Sequence, residues 1–244
     1  MTLRIRVWNE YVHETRGDRV VVENYPDGIH RVIADGLTEL LGDRATVSTA
    51  TLREEEHGLS EEALAETDVL FWWGHIAHEE VSDEVVQRVV DRVHAGMGLV
   101  VLHSGHYSKV FKRLMGTTCS LKWRNDGERE LVWTIAPQHP IAEGVPHPIQ
   151  IPRQEMYGEF FDIPRPDEEI FLSTFEGGEV FRSGVAYERG LGRVFYFSPG
   201  DQEYPVYHHP DIRRVLANAA EWVAPRVELR TLTADEHPRD WFVG

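Results

Sequence analysis

The sequence predicts an α/β fold in which a mostly parallel central sheet is covered by helices and extended by antiparallel strands. The clearest sign is Gly98–Leu102, an apolar run typical of a strand that is buried on both faces. Directly after His103 the chain turns into a predicted helix over residues 108–114. A strand, a turn and a helix in that order form the repeating unit of a parallel sheet.

The N-terminal half repeats this alternation. Apolar runs predict strands over residues 4–8, 45–49 and 68–73. Apolar residues at three-to-four spacing over 29–41 predict a helix that starts at Pro26 and Asp27 and ends at Gly42. The same spacing predicts a helix from the N-cap candidate Ser82 to Gly96, and a short acidic helix is predicted over 61–66 between the two. This half therefore predicts a β-α-β-α arrangement.

The C-terminal half has a different pattern. Residues 131–135, 170–174, 180–187 and 192–198 predict strands with no helices between them, which favours antiparallel hairpins at the edge of the sheet or over its top. Residues 211–223 predict a closing helix. We expect residues 1–225 to form one domain and 226–244 to be a polar, aromatic-ended tail.

Composition limits the setting and the partners. The net charge of −16 argues against nucleic acid and anionic membranes as partners. Cys119 is the single cysteine, so a reducing, cytoplasmic setting is expected. The alternating N-terminal residues 1–8 predict a strand rather than a signal peptide or anchor.

Polar residues follow several of the predicted strands. They are found at residues 9–14, 74–80, 103–109 and 199–204. The carboxyl ends of parallel strands meet at one edge of a sheet, where ligands commonly bind, so these loops are expected to converge. The alternative is that histidines such as His103 and His106 are satisfied polar residues near a helix start.

Several of these segments resemble one known family. The resemblance is to the trehalose utilisation, or ThuA-like, family, and it is carried by residues 8–14, 72–81, 102–109, 155–164 and 175–184. The resemblance implies a flavodoxin-like three-layer sandwich of the class I glutamine amidotransferase-like superfamily. It also implies a role in catabolism of trehalose or related disaccharides through 3-keto sugars, beside a sugar 3-dehydrogenase.

The amidotransferase nucleophile is missing. Amidotransferases of this superfamily carry a cysteine at the strand-to-helix elbow, where this chain has His103. An imidazole cannot take the place of the acylated thiol, so amidotransferase activity is not expected. Many ThuA-like sequences have Gly-His where this chain has Gly200 and Asp201, which puts in doubt any general-base role inherited at that position.

The remaining histidines and carboxylates predict a catalytic or metal site. Imidazoles with a carboxylate are the ligands of divalent metals, zinc above all, and the alternative is acid–base catalysis by the same groups without metal. The expected metal ligands are His13, His75, His78 and His103. The expected catalytic residues are Glu10, His103, His106, Glu155 and Asp201. No nucleotide cofactor is expected.

A small-molecule sugar is the expected substrate. Aromatic rings can stack on sugar faces and polar side chains can bind hydroxyls, although strand tryptophans are more often part of the core and lone charges on loops are more often solvated. The candidate substrate-binding residues are Asn9, Trp73, Tyr107, Lys109, Tyr157 and Arg182, and Trp8 and Trp123 are further candidates for stacking.

Two functions from different classes remain open. The first is an enzyme that acts on a keto-disaccharide or glycoside through a histidine-rich, metal-assisted site. The second is a sugar- or effector-binding protein without catalytic activity on the same scaffold. A homo-oligomer is compatible with either function.

Overall fold

A single nine-stranded sheet organises the chain. The computed structural model describes residues 2–226, 228 and 230. The strands are β1 (Leu3–Asn9), β2 (Ala45–Thr51), β3 (Val69–Trp73), β4 (Gly98–Leu102), β5 (Lys122–Thr134), β6 (Ile149–Gly158), β7 (Glu168–Phe175), β8 (Val180–Arg189) and β9 (Gly192–Phe197). Their order across the sheet is β2-β1-β3-β4-β9-β8-β7-β5-β6.

Helices cover both faces of the parallel part of the sheet. They are α1 (Val12–Arg16), α2 (Arg19–Asn24), α3 (Ile29–Leu41), α4 (Glu61–Ala65), α5 (Asp83–His94), α6 (Lys109–Met115) and α7 (Pro210–Val223). The apolar sides of α3 and α7 pack in one core cluster and those of α4, α5 and α6 in the other. The predicted helices are confirmed, including the N-cap at Ser82, whose Oγ accepts a hydrogen bond from the Val85 amide.

The prediction of a mostly parallel sheet is wrong. Strands β2, β1, β3, β4 and β9 are parallel, but β9, β8, β7, β5 and β6 are joined by antiparallel pairings, which make up four of the eight pairings in the described chain. The hairpins do not fold over the sheet. They continue the sheet. Because no crossover helix separates these strands, neighbouring strands run in opposite directions and pair antiparallel.

The order of the strands reverses direction between β1 and β3. The chain moves outward from β1 to β2 and then returns past β1 to β3, so the loops that follow β1 and β3 diverge and leave a crevice. The loops after β4 and β9 end at the same edge. Among the described residues, no helix is long and apolar enough to cross a membrane.

Candidate active site

His103 sits at a strained bend between β4 and α6. Its φ of 48° lies in the left-handed region, which costs a non-glycine residue about 1–2 kcal/mol. The chain then makes one 3-10 turn, residues 103–107, before α6 begins after the N-cap Ser108. The imidazole is fully buried, and its Nδ1–H donates to the Ser198 carbonyl at 3.0 Å. Nε2 is thereby directed away from the β9 backbone.

Two buried carboxylates meet Nε2 of His103. Glu155 Oε2 lies 3.2 Å from it and Asp201 Oδ2 lies 3.5 Å from it. Burial by itself would lower the pKa of His103, but the hydrogen bonds and charges of Asp201 and Glu155 outweigh burial and raise it to about 10. Burial would likewise raise the pKa of Asp201, but His103 overrides this and lowers it. Without another cation, His103 is therefore an imidazolium.

His75 completes a four-residue cluster. His75, His103, Glu155 and Asp201 each offer one ligand atom, and these atoms all lie within 4.8 Å of one another. The four residues come from the loops after β3, β4 and β9 and from β6. Glu155, which was predicted to join these residues from a loop, reaches them from within β6.

A hydrogen-bonded chain fixes the orientation of His75. The Asp18 carboxylate accepts from His13 Nδ1–H at 2.7 Å, which leaves His13 Nε2 to accept from His75 Nδ1–H at 2.8 Å. Nε2 of His75 therefore carries a lone pair. Burial, followed by the charge of His103, lowers the pKa of His75 to about 3, so its imidazole is neutral. His13, predicted as a ligand, stands behind His75 and orients it.

His78 and His106 line the cavity outside the cluster. Burial lowers the pKa of His78 to about 4 and that of His106 to about 3. His106 Nδ1–H donates to the Cys119 carbonyl at 2.7 Å, so Nε2 of the neutral ring is an acceptor. Both neutral rings are suited to accept hydrogen bonds from the hydroxyl groups of a ligand.

Glu10 organises the loop that carries His75. Its carboxylate accepts the backbone N–H groups of His75, Ile76 and Ala77 at 2.7, 2.9 and 3.0 Å. The side chain is buried and does not line the cavity. Its oxygens are already engaged by the backbone, which is the arrangement of a positioning residue.

The cluster opens into a cavity of about 620 Å³. His75 and Glu155 line this cavity, while His103 and Asp201 are fully buried behind them. The other lining residues are His13, His78, Ser104, His106, Tyr107, Ser120, Leu121, Trp123, Asn125, Tyr157, Gln202 and Glu203. Cavities of this size bind small organic ligands.

The structure separates the predicted substrate-binding residues into two groups. Tyr107 and Tyr157 line the cavity, and the Tyr157 ring stacks on His103 with ring centres 5.0 Å apart. The other four residues do not line it. Asn9 is bonded to Glu14 and Tyr11, Trp73 Nε1–H donates to the Gly200 carbonyl, Lys109 donates to the Val81 carbonyl, and Arg182 is paired with Glu159.

Sequence reasoning missed the polar residues behind and beside the cluster. The Gln154 side-chain oxygen accepts from the amides of Glu155 and Asp201, at 3.1 and 3.3 Å, and so ties β6 to the loop after β9. Glu130, also buried, accepts from Ser173 Oγ at 2.5 Å. Gln202 lines the cavity next to Asp201. Only Gln202 had a signal in the sequence, its place in a polar loop after a predicted strand.

Glu130 gives a stability prediction that is independent of any ligand. Burial raises its pKa from 4.5 to about 7, and the Ser173 hydroxyl, His103 and Gln154 offset this only in part. Between these pH values the folded chain holds more protons than the unfolded chain, so the free energy of unfolding falls as pH rises. In the unaltered chain this loss amounts to about 3 kcal/mol between pH 4.5 and 8, and we expect Glu130→Gln to remove it.

Urea unfolding at both pH values measures this effect. Glu169→Gln, an exposed change on β7, is the matched control and should follow the unaltered chain. A constant difference in stability between Glu130→Gln and the unaltered chain across this range would contradict the prediction.

The donor set of the cluster suits a divalent cation. Two carboxylates and two imidazole Nε2 atoms are a ligand set of the kind that catalytic zinc and related metals take. Asp201 Oδ2 is buried and faces His103 Nε2 at 3.5 Å, so it would be free to bind a cation that replaced the His103 proton. His13 and His78, which were also predicted as metal ligands, lie outside this four-residue group.

The fold is one that known structures share. The chain forms an α/β sheet with helices on both faces and a polar cluster at a strand-to-helix elbow. Accordingly, PurLQS from Thermotoga maritima superposes with a TM-score of 0.56 at 13% identity, over 91% of this chain and 99% of that one.

The chain belongs to the trehalose utilisation family, ThuA, whose family model matches residues 11–223. A putative ThuA-like protein from Bacteroides uniformis is similar in structure, with a TM-score of 0.66 and 15% identity over 91% of each chain. Another, from Parabacteroides merdae, has a TM-score of 0.63 and 13% identity over 98% of this chain and 94% of that one. No curated protein matches the chain in sequence.

Proposed function

We propose that the chain is an enzyme of disaccharide catabolism that acts on a keto-disaccharide or glycoside in the cavity beside His75 and Glu155. One observation carries this proposal: four side chains that could ligate a metal, three of them buried, meet at the wall of a cavity of about 620 Å³. Membership of the trehalose utilisation family supports a sugar as the substrate.

A divalent metal, zinc first, is part of the proposal. His75, His103, Glu155 and Asp201 would hold it. When bound, it would polarise a sugar carbonyl and stabilise the negative charge that develops on the carbonyl oxygen. The cation would also replace the proton that His103 otherwise shares with the two carboxylates.

Proton movement falls to residues that line the cavity. His106 lines the cavity and its Nε2 is left free by the bond from Nδ1–H to Cys119, so it is the residue proposed to take a proton from the carbon next to a sugar carbonyl. As that C–H bond breaks, a double bond forms to the next carbon, the glycosidic C–O bond breaks, and the leaving oxygen takes up the proton that the imidazole removed. The Tyr157 hydroxyl lies 2.8 Å from Ser104 Oγ and 3.3 Å from His103 Nε2, a hydrogen-bonded position from which it can orient a substrate oxygen.

A sugar-binding protein without catalytic activity is the second candidate. The observation that favours it is the elbow itself, because His103 is fully buried and both of its ring nitrogens already have partners. In that function the cluster would serve as a self-paired wall of the binding site, with the His103 imidazolium between two carboxylates. We place either protein in the cytoplasm, where its one cysteine, the buried Cys119, stays reduced.

Metal content and turnover test the proposal together. We expect near-stoichiometric zinc or another divalent ion in protein purified without a histidine tag or chelator, and its loss in His75→Ala and His103→Ala. His139→Ala removes a buried histidine outside the cluster and should keep the metal. Conversion of trehalose and its 3-keto derivative would be followed by NMR.

The outcomes separate the candidates. Metal and turnover that both cluster substitutions abolish would support the metal-assisted enzyme. Turnover by a metal-free protein would leave acid–base catalysis by the same residues. Sugar binding with no turnover of any keto-disaccharide or glycoside would favour the binding protein.

A further inference from the structure

An aromatic side chain at the mouth of the cavity is exposed and lies outside the hydrophobic core. Trp123 on β5 is 66% exposed, yet it lines the cavity. The tryptophans Trp8, Trp72 and Trp73 are at most 1% exposed and belong to the core. Trp123 therefore adds little to the stability of the fold where it stands, and its indole is free to contact a ligand.

The sheet places Trp123 beside the residues of the cluster. Trp123 pairs directly with Tyr157 in the antiparallel ladder of β5 and β6, so the two side chains lie on the same face of the sheet. Tyr157 in turn stacks on His103, with ring centres 5.0 Å apart. With about 5 Å between directly paired side chains, an aromatic wall runs roughly 10 Å outward from His103. Two linked sugar rings span a comparable length.

A buried acceptor without a partner lies in the same cavity. Gln202 is 4% exposed, and its Oε1 accepts no hydrogen bond among the described residues. A buried polar atom of this kind costs free energy unless a ligand supplies a donor. A sugar hydroxyl is such a donor, and the exposed indole face suits the apolar face of a sugar ring.

We propose that Trp123 is a specificity-determining residue that binds the distal ring of a two-ring sugar, with Gln202 accepting a hydroxyl of the same ligand. The inner ring then lies beside His75, Glu155 and Tyr157. This inference rests on the proposed function, because it assigns a second subsite to the same cavity. It makes the protein selective for disaccharides over monosaccharides.

Calorimetric binding of trehalose and of glucose tests the assignment. Trp123→Ala should weaken trehalose binding about tenfold and change glucose binding less than twofold, because only the distal ring loses its platform. Trp123→Phe should restore most of the trehalose affinity. Gln202→Leu should weaken binding as well, since it removes the free acceptor.

Phe160→Ala is the matched control. Phe160 is a 70% exposed aromatic residue that does not line the cavity, so its removal should leave both affinities unchanged. His75→Ala reports on the inner part of the site and should affect both sugars alike.

Two failures can be told apart. Equal loss of trehalose and glucose binding in Trp123→Ala, or no loss of either, would overturn the distal subsite and leave the proposed function intact. If the unaltered chain bound neither sugar, the proposed substrate class would fall and the subsite with it.

Discussion

His103→Ala is expected to destabilise the metal-free protein by about 3–5 kcal/mol near neutral pH, because it leaves Glu155 and Asp201 buried together without their imidazolium. The imidazolium stabilises the folded chain fully below pH 6.5, and this contribution is lost as pH rises toward the folded pKa of about 10. In the variant, the two carboxylates can be neutralised by protonation at low pH. The loss of stability should therefore be largest near neutral pH and smaller at either end.

Denaturant unfolding across pH 4.5 to 10 measures this profile. His106→Ala is the control on the same turn, since its ring donates to the Cys119 carbonyl and not to a carboxylate. Its smaller loss should vary little above pH 6.5, where this ring is neutral in both the folded and the unfolded chain. A loss in His103→Ala that is equally independent of pH would show that packing, rather than charge pairing, holds His103 in place.

Glu10→Ala is expected to cost a similar amount, about 3–5 kcal/mol, for a different reason. Three backbone N–H groups, those of residues 75–77, lose a charged and buried acceptor, and hydrogen bonds to charged groups are among the strongest in proteins. Amide hydrogen exchange at these residues should become much faster. Since the loop carries His75, the variant should also lose any metal that the cluster binds.

The control for this loop is Glu79→Ala. The Glu79 side chain is 81% exposed a few residues further on, so its removal should change neither stability nor exchange at residues 75–77. Glu10→Gln keeps one acceptor oxygen and should fall between the two. Normal protection of these amides in Glu10→Ala would contradict the positioning role assigned to Glu10.

The sequence by itself determined the α/β fold, the positions of its helices and the general location of the site. Amphipathic spacing over residues 29–41 and 211–223 and the apolar run at 98–102 are local patterns, so they predict local structure directly. The polar residues after β1, β3, β4 and β9 could be predicted to converge, because strand direction in a parallel sheet brings those ends together. The family could be predicted because each segment that resembles it is continuous in the sequence.

Only the tertiary structure decided how the sheet continues and which side chains meet. Hairpins that extend a sheet and hairpins that fold over it have the same alternation of residues. Sequence spacing therefore could not show that the hairpins continue this sheet and supply half of the pairings in the described chain. Glu155 reaches His103 from β6, which follows in the chain by some fifty residues and joins the far edge of the sheet.

The roles of individual polar groups were decided in the same way. Whether Glu10 faces a cavity or a ring of backbone amides depends on the path of the loop after β3, and nothing in the residues 9–14 encodes that path. The same holds for His13, which orients His75 through a hydrogen bond across 62 positions of the chain. Residue type determines which chemistry a group can perform, but the long-range packing of separate elements determines which partner it meets.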